Sequence, residues 1–342
     1  MTQVQIKDVA RRAGVSSATV SRVLNADRGV SEERRQRVLD AIRELGYQPN
    51  RVARSLRRQS SDMIGVVVSD IENPHFTQAV RVIEDAAFAQ GYRVLLCNTD
   101  ETPSKQSSYL EMLASERVLG VILAPADPND STIAKLLDMG IPIVAFDREA
   151  SEPRADAVTA DNITAGRRAT EHLLAQGHRF IGFVAGRPDI QTGIDRQQGY
   201  EQAMRQRGLA PHVVTGMFRI HQAQMATGRM LEEHPEMTAI VVGNNLMTVG
   251  TLRALQAAGR RVPADISLVQ IDDPFWGELV EPPLTSLAQP VRQMAQNAVD
   301  LLLQRITGER AMSRHIVFQF ELRDRQSCAA PASAASRLPG AP

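Results

Sequence analysis

A chain of 342 residues is long enough for two or three domains. With 43% hydrophobic and 23% charged residues it is not a disordered polymer, no apolar run approaches the roughly 18 residues of a membrane span, and its two cysteines, Cys97 and Cys328, exclude a disulfide framework or a four-ligand zinc site. The net charge of zero hides 13 Lys+Arg against 6 Asp+Glu in residues 1–60, a surplus of +7 matched by −7 in the remainder, which suggests a basic, anion-binding head on an acidic body.

Ile6, Val9, Ala10 and Ala13 fall at helical spacing and predict a short first helix. Gly14 ends it, because glycine tolerates a left-handed backbone, and Val15 follows as an apolar plug. Ser16 is placed to cap a second helix, in which Val20, Val23 and Leu24 turn inward and Ser17, Ala18, Ser21 and Arg22 outward. A polar loop at 25–29 leads to a third helix, expected to start at a Ser31 cap, to bury Val38, Ile42 and Leu45, and to stop at Gly46. Two short helices about a four-residue turn, braced by a third, form the helix-turn-helix that lays its second helix in the major groove of DNA. Small Ser17 and Ala18 let that helix sit deep. Ala18 can touch a thymine methyl, and Arg22 can hold guanine O6 and N7 with two bonds. Ser16, Ser21, Tyr47 and Asn50 are candidate phosphate contacts. The alternative, a small helical subdomain with a polar outside, leaves the +7 charge unexplained.

Pro49 and Asn50 can start a further helix over the basic stretch 49–58, with Ala53 and Leu56 on one face. It is too short to hold alone, and an exposed Leu56 among arginines suits a minor-groove wedge. Beyond it, apolar runs at 63–68, 92–97, 118–124 and 141–146 alternate with helix-like stretches, and the rhythm resumes at 179–184, 239–242 and 266–271. Such runs read as buried parallel strands. Two blocks of them predict two doubly wound α/β lobes with a cleft at their strand ends. Polar residues follow the runs at 70–76, 147–148, 243–245 and 272–273, with Gln289 further on. Carboxylates, carboxamides and an arginine can satisfy a ring of hydroxyls, and Phe76, Phe218 and Trp276 offer faces for stacking. The Ala-, Pro- and Ser-rich stretch 329–342 is expected to be disordered.

The run Ile6-Lys-Asp-Val-Ala-Arg-Arg-Ala-Gly-Val-Ser-Ser-Ala-Thr-Val-Ser-Arg-Val-Leu-Asn25 resembles the N-terminal signature of the lactose-repressor (LacI/GalR) family, and Leu45-Gly-Tyr-Gln-Pro-Asn-Arg-Val-Ala-Arg-Ser-Leu56 resembles its hinge. The resemblance covers residues 4 to about 322. It implies an all-α helix-turn-helix head (1–48), a hinge helix and linker (49–60), and a two-lobed body similar to periplasmic sugar-binding proteins of type I. The lobes are then 61–161 plus 292–322, and 162–291 plus 323–328. It implies that Ser17, Ala18 and Arg22 read bases, and that Leu56 and its dimer mate pry open the centre of a near-palindromic operator. It assigns Asn73, His75, Phe76, Asp147, Arg148, Arg196, Phe218, Asn244, Asp272 and Gln289 to the effector site, with Thr192, Arg196 and Phe218 similar to purine-holding positions of the purine-repressor branch. The segment 272–285, with Trp276, resembles members linked to sugar acids. Three positions depart from the pattern: Ile194 replaces a frequent Arg, His75 an aromatic of the ribose type, and Asn245 the usual Asp.

The expected function is therefore a ligand-responsive repressor of carbohydrate or sugar-acid genes. It would be a cytoplasmic homodimer with operator DNA and a small effector as partners, and without metal, cofactor or membrane. The absence of a basic and apolar leader over residues 1–8 fits that compartment. A purine-responsive regulator of the same type is the alternative. A DNA-tethered enzyme is a rival from another class, but there is no G-x-x-x-x-G-K-[ST] loop, no G-x-G-x-x-G after a strand, no G-x-S-x-G elbow and no H-E-x-x-H pair. A DNA adaptor gated by a protein partner is a third reading.

Overall fold

A computed structural model describes residues 4–24, 29–47 and 62–331. The chain divides into two compact units, residues 1–61 and 62–342.

The first unit holds helices α1 (Ile6–Ala13), α2 (Ser17–Leu24) and α3 (Glu32–Leu45). Gln5 and Asp8 close a reciprocal capping box on α1, and Gly14 ends it at φ +65°. Ser16 caps α2 as expected, its Oγ accepting the Thr19 N–H at 3.2 Å. Ser31 does not cap α3 through its side chain; only its carbonyl is engaged, accepting the Arg35 N–H at 2.9 Å. Val9, Val20 and Val38, one from each helix, are fully buried, and Arg12 pairs with Glu44 at 2.6 Å to tie α1 to α3.

The second unit is built on two six-stranded sheets. The first has the order β11 (His315–Phe318), β5 (Asp156–Ala160), β4 (Ile143–Asp147), β3 (Val121–Leu123), β1 (Met63–Val68), β2 (Arg93–Asn98), all parallel. The second has the order β12 (Glu321–Arg323), β10 (Thr285–Ala288), β9 (Ser267–Ile271), β8 (Ala239–Val242), β6 (Ile181–Ala185), β7 (His212–Thr215). It is parallel except at its edge, where β12 runs antiparallel to β10. The buried apolar runs account for the central strands, since a strand covered on both faces shows no polar alternation.

Helices α4 (Pro74–Ala89), α5 (Pro103–Ser115), α6 (Ser131–Asp138) and α11 (Val291–Ile306) flank the first sheet. Helices α7 (Asn162–Ala175), α8 (Gln191–Gln206), α9 (Ile220–Glu233) and α10 (Asn245–Ala257) flank the second. The chain crosses between lobes three times: after β5, after β10 and between β11 and β12. The last crossing falls at 319–320 rather than after 322, because Leu322 already pairs with Leu287 of the second sheet. Residues 329–331 also differ from expectation. Ala329 exchanges two hydrogen bonds of 3.0 Å with the Ser267 side chain, and its carbonyl lies 2.9 Å from His178 Nε2. His178, in the loop before β6, is buried by this contact and by Thr238 at 2.8 Å. The rest of the 329–342 expectation lies outside the described residues.

Candidate ligand cleft and nucleic-acid interface

On α2, Val20 and Val23 face the core, while Ala18 and Arg22, four residues apart, are exposed on one face. Ser17 and Ser21 are half-exposed beside them. Exposed Ser16 spends one acceptor on its cap. Tyr47 packs partly against the core of this unit. Asn50, Ala53 and Leu56 lie outside the described residues.

In the second unit the C-terminal ends of both sheets open onto one cavity of about 260 Å³. Parallel sheets favour such a position, because strand ends and helix N-termini converge there. Asn73 and Asn244 cap α4 and α10: Asn73 Oδ1 accepts the His75 N–H at 2.9 Å, and Asn244 Oδ1 the Met247 N–H at 2.8 Å. Asp147 ends β4 at φ +69° and Asp272 follows β9 at φ +72°. Left-handed backbone costs a non-glycine residue about 1–2 kcal/mol, and it turns both carboxylates inward.

The first lobe contributes a buried ionic lattice. Arg148 holds Glu101 with two bonds of 2.8 and 2.9 Å, donates to the Pro125 carbonyl at 3.2 Å, and approaches Asp147 at 3.4 Å. His75 Nε2 lies 3.4 Å from Asp147 Oδ1, with its ring 6.0 Å from Phe146 and 5.0 Å from Phe76. Burial would raise Asp147, but His75, Arg148 and Arg196 outweigh it and hold the carboxyl well below its usual range. Burial likewise disfavours the Arg148 charge, yet Glu101 and Asp147 raise its pKa.

From the second lobe come Thr192, Arg196, Phe218, Asp272 and Gln289. Two glycines set Arg196. A Cβ on Gly166 of α7 would lie 2.0 Å from the Arg196 carbonyl oxygen, and one on Gly199 of α8 would lie 2.0 Å from that of Ile163. The helices therefore approach at backbone contact. Arg196 then reaches the Asn162 side chain at 2.8 Å and the Gly243 carbonyl at 2.6 Å, with Asp272 at 3.9 Å. Gln289 donates to Asp272 at 2.8 Å. The Phe218 ring is pressed on Gly186, where a Cβ would come within 2.1 Å of it.

Of the effector residues expected from the sequence, only Trp276 does not line the cavity. It sits on the 3₁₀ turn Phe275–Glu278 and packs against the second lobe's apolar core, since the turn after Pro274 faces it inward. Ile194 is exposed and does not line the cavity either. Glu101, Arg187 and Arg219 line it and were missed from the sequence; Asp70, noted only within the polar run 70–76, lines it too. Arg219, in the second lobe, pairs with both Asp70 and Asp100 of the first. Asn245 Nδ2 donates to Asn73 Oδ1 at 3.0 Å and Arg187 to the Glu101 carbonyl at 3.4 Å, further bonds across the cleft. Among the described residues no group of three His, Cys, Asp or Glu is placed for a metal, and no helix is long and apolar enough to cross a membrane.

Residues 61–326 match the family of periplasmic binding proteins and the sugar binding domain of the LacI family, and residues 5–50 match the bacterial regulatory proteins of the lacI family. The chain is 39% identical over 301 residues to the ribose operon repressor of Halalkalibacterium halodurans, covering 88% of this chain and 90% of that one. It is 35% identical over 328 residues to the HTH-type transcriptional repressor PurR of Aliivibrio fischeri strain MJ11, covering 94% and 97%. Among solved structures it resembles the lac repressor dimer bound to operator and the anti-inducer ONPF, with a TM-score of 0.86, 30% identity, and coverage of 96% and 100%.

Proposed function

The chain belongs to the LacI family of bacterial regulatory proteins, a DNA-binding transcription repressor with an effector domain and not an enzyme, and from that premise we propose that its effector is a compact, uncharged sugar. One observation carries this reading. Asp147 and Asp272 face a single cavity from opposite lobes, while each arginine lining it already has a partner: Arg148 with Glu101, Arg187 with Asp189, Arg196 with Asn162 and Gly243, and Arg219 with Asp70 and Asp100. Acceptors thus exceed free donors. A polyol brings hydroxyl donors to such a site, whereas a sugar acid or phosphate would set a further negative charge against Asp147 and Asp272. This moves sugar acids below neutral sugars. The volume lies just under the about 300–1,000 Å³ of drug-sized pockets, and the ribose operon repressor suggests ribose as the first candidate.

The purine reading is favoured by the likeness to PurR and by Thr192, Arg196 and Phe218 in the lining. Against it, the tip of the Phe218 ring is already packed on Gly186. We place the repressor in the cytoplasm as a homodimer. Its α2 helices would read two half-sites through Ser17, Ala18 and Arg22, with Ser16, Ser21, Tyr47 and Asn50 on phosphates and Ala53 and Leu56 in the minor groove. Ligand binding between the lobes would shift operator affinity through a coupling of about 1–3 kcal/mol.

Calorimetry with D-ribose, ribonate, ribose 5-phosphate and hypoxanthine tests the ligand. D-ribose alone should bind, and heat only with ribonate or hypoxanthine would overturn the proposal. For the head, Arg22→Ala should relax preference at one symmetric base pair of the operator. A loss uniform across sequences would make Arg22 a phosphate contact.

A further inference from the structure

A second cavity of about 560 Å³ meets the first along His75, Asp272 and Gln289, which line both. Thr77 and Gln78 of α4, Asn245, Asp273, Phe275 and Arg325 complete much of its wall. Three side chains at this junction are incompletely satisfied. Asn245, 2% exposed, donates through Nδ2 to Asn73, and its Oδ1 is buried with no hydrogen bond. Gln289 donates through Nε2 to Asp272, and its Oε1 is buried in the same condition. His75, 6% exposed, has Nε2 on Asp147 at 3.4 Å, while its Nδ1 is buried with no hydrogen bond. Their fixed partners orient both amides, so each presents an acceptor.

Buried polar atoms are ordinarily paired, and three such groups at the seam of two cavities mark where a ligand supplies donors. The second cavity also offers a flat apolar face, the 76%-exposed ring of Phe275. Its two arginines are met by two carboxylates: Arg325 holds Asp273 at 2.7 Å, and Arg323 pairs with Asp273 at 2.5 Å and with Glu321 at 3.9 Å. An anionic second group therefore finds no free cation there.

We propose that the effector site has two chambers, and that its ligand is a glycoside: a sugar ring in the cavity between Asp147 and Asp272, carrying on its anomeric carbon a second, uncharged ring with N–H or O–H donors that enters the chamber beside Phe275. This rests on the sugar reading above and extends it. A polar ring edge meets Asn245 and Gln289, and its face stacks on Phe275.

Calorimetry on the full-length protein with D-ribose, uridine, inosine and benzyl β-D-ribofuranoside tests it, alongside the variant Gln78→Trp, which fills the second chamber and touches nothing in the first. At least one nucleoside should bind tenfold or more tightly than D-ribose. In Gln78→Trp its affinity should fall to that of D-ribose, which itself stays within twofold. Preference for the nucleosides, whose bases carry N–H donors, supports the polar contacts with Asn245 and Gln289; preference for the benzyl compound, whose ring has no donor, overturns them. D-ribose binding as tightly as every glycoside, or glycoside affinity unchanged in Gln78→Trp, overturns the second chamber alone. Failure of D-ribose and all glycosides overturns the sugar reading and this proposal with it. Phe275→Ala gives an independent check. If it dissociates the dimer and leaves glycoside affinity intact, Phe275 serves subunit contact and not a ligand.

Discussion

After their fourth strands the two lobes place an aspartate in the same left-handed backbone, Asp147 at φ +69° and Asp272 at φ +72°. After their second strands both again turn through two left-handed residues, but these are Asp100 and Glu101 in the first lobe and Met217 and Phe218 in the second. The repeated fold thus fixes where the backbone bends inward and leaves the side chains free to diverge. Where the lobes agree, each offers a carboxylate to a shared cavity. Where they differ, the first anchors an ion pair with Arg148 and the second presses an aromatic ring on Gly186. Strain retained at equivalent places in both halves marks the positions that the cleft depends on.

That contrast can be broken most forcefully at Glu101. Glu101→Gln leaves the Arg148 guanidinium buried without its two-bonded partner. Removal of one member of a buried pair costs about 3–5 kcal/mol, so chemical denaturation should show a loss of that order. A change below about 1 kcal/mol would mean that the lattice is dispensable, and that the lobes differ less than their residues suggest.

The shared aspartates come next. Asp147→Asn and Asp272→Asn keep shape and tolerate the left-handed backbone, but remove the charge. A hydrogen bond to a charged group contributes about 1.5–3 kcal/mol, so each variant should weaken effector binding roughly 10- to 150-fold while operator affinity without effector stays unchanged. Similar losses would mean that both lobes grip the ligand alike. A loss confined to one would assign the ligand mainly to that lobe.

How far the sequence reveals these features varies with the lobe's own chemistry. β1 and β8 follow continuous apolar runs and fall where expected. β5 and β10 escape notice because Asp156, Thr159, Thr285 and Ser286 interrupt them, although all four are buried. Asp156 is tolerated inside only because Arg305 and Arg310, about 150 residues away in the chain, close on it at 3.0 and 2.8 Å. Such long-range pairing leaves no local signal. The same holds at the cleft. Asn73, Asp147 and Asp272 follow recognisable strands and stand out. Arg219 follows β7, four residues long and only partly buried, so the turn that carries it is not recognisable as a strand end. Trp276 misleads for the opposite reason, since an aromatic near a strand end reads the same whether it faces ligand or core.

The salt bridges at the cleft mouth offer a gentler test. Asp70 is raised by burial, which the Glu72 N–H and Arg219 only partly offset, whereas Asp147 is held low. As pH falls, Asp70 is neutralised before an ordinary carboxylate and Asp147 after one. A raised carboxyl binds its proton more readily in the folded state, so acid favours folding at Asp70 even as it weakens the pair with Arg219. The contribution of Asp147 is lost only as pH falls through its depressed value. Mild acid should therefore loosen the mouth and speed ligand release before circular dichroism reports unfolding. In Arg219→Gln that acceleration should vanish. If it persists, a group other than the Arg219 pairs gates the cleft.

The smallest effect concerns Ile194, where the family resemblance leads one to expect an arginine. Ile194 is 39% exposed on α8 and lies outside the cavity wall, whereas Thr192 and Arg196 on the same helix line it. Thr192 and Arg196 are four residues apart and share a helix face; Ile194, midway, points elsewhere. Ile194→Arg should therefore change stability by less than about 0.5 kcal/mol, as surface substitutions usually do, and leave effector affinity within twofold in calorimetry. A marked gain in affinity would show that a long side chain from this position reaches into the cleft. The second lobe would then carry a vacated cationic contact to weigh against the ionic lattice of the first.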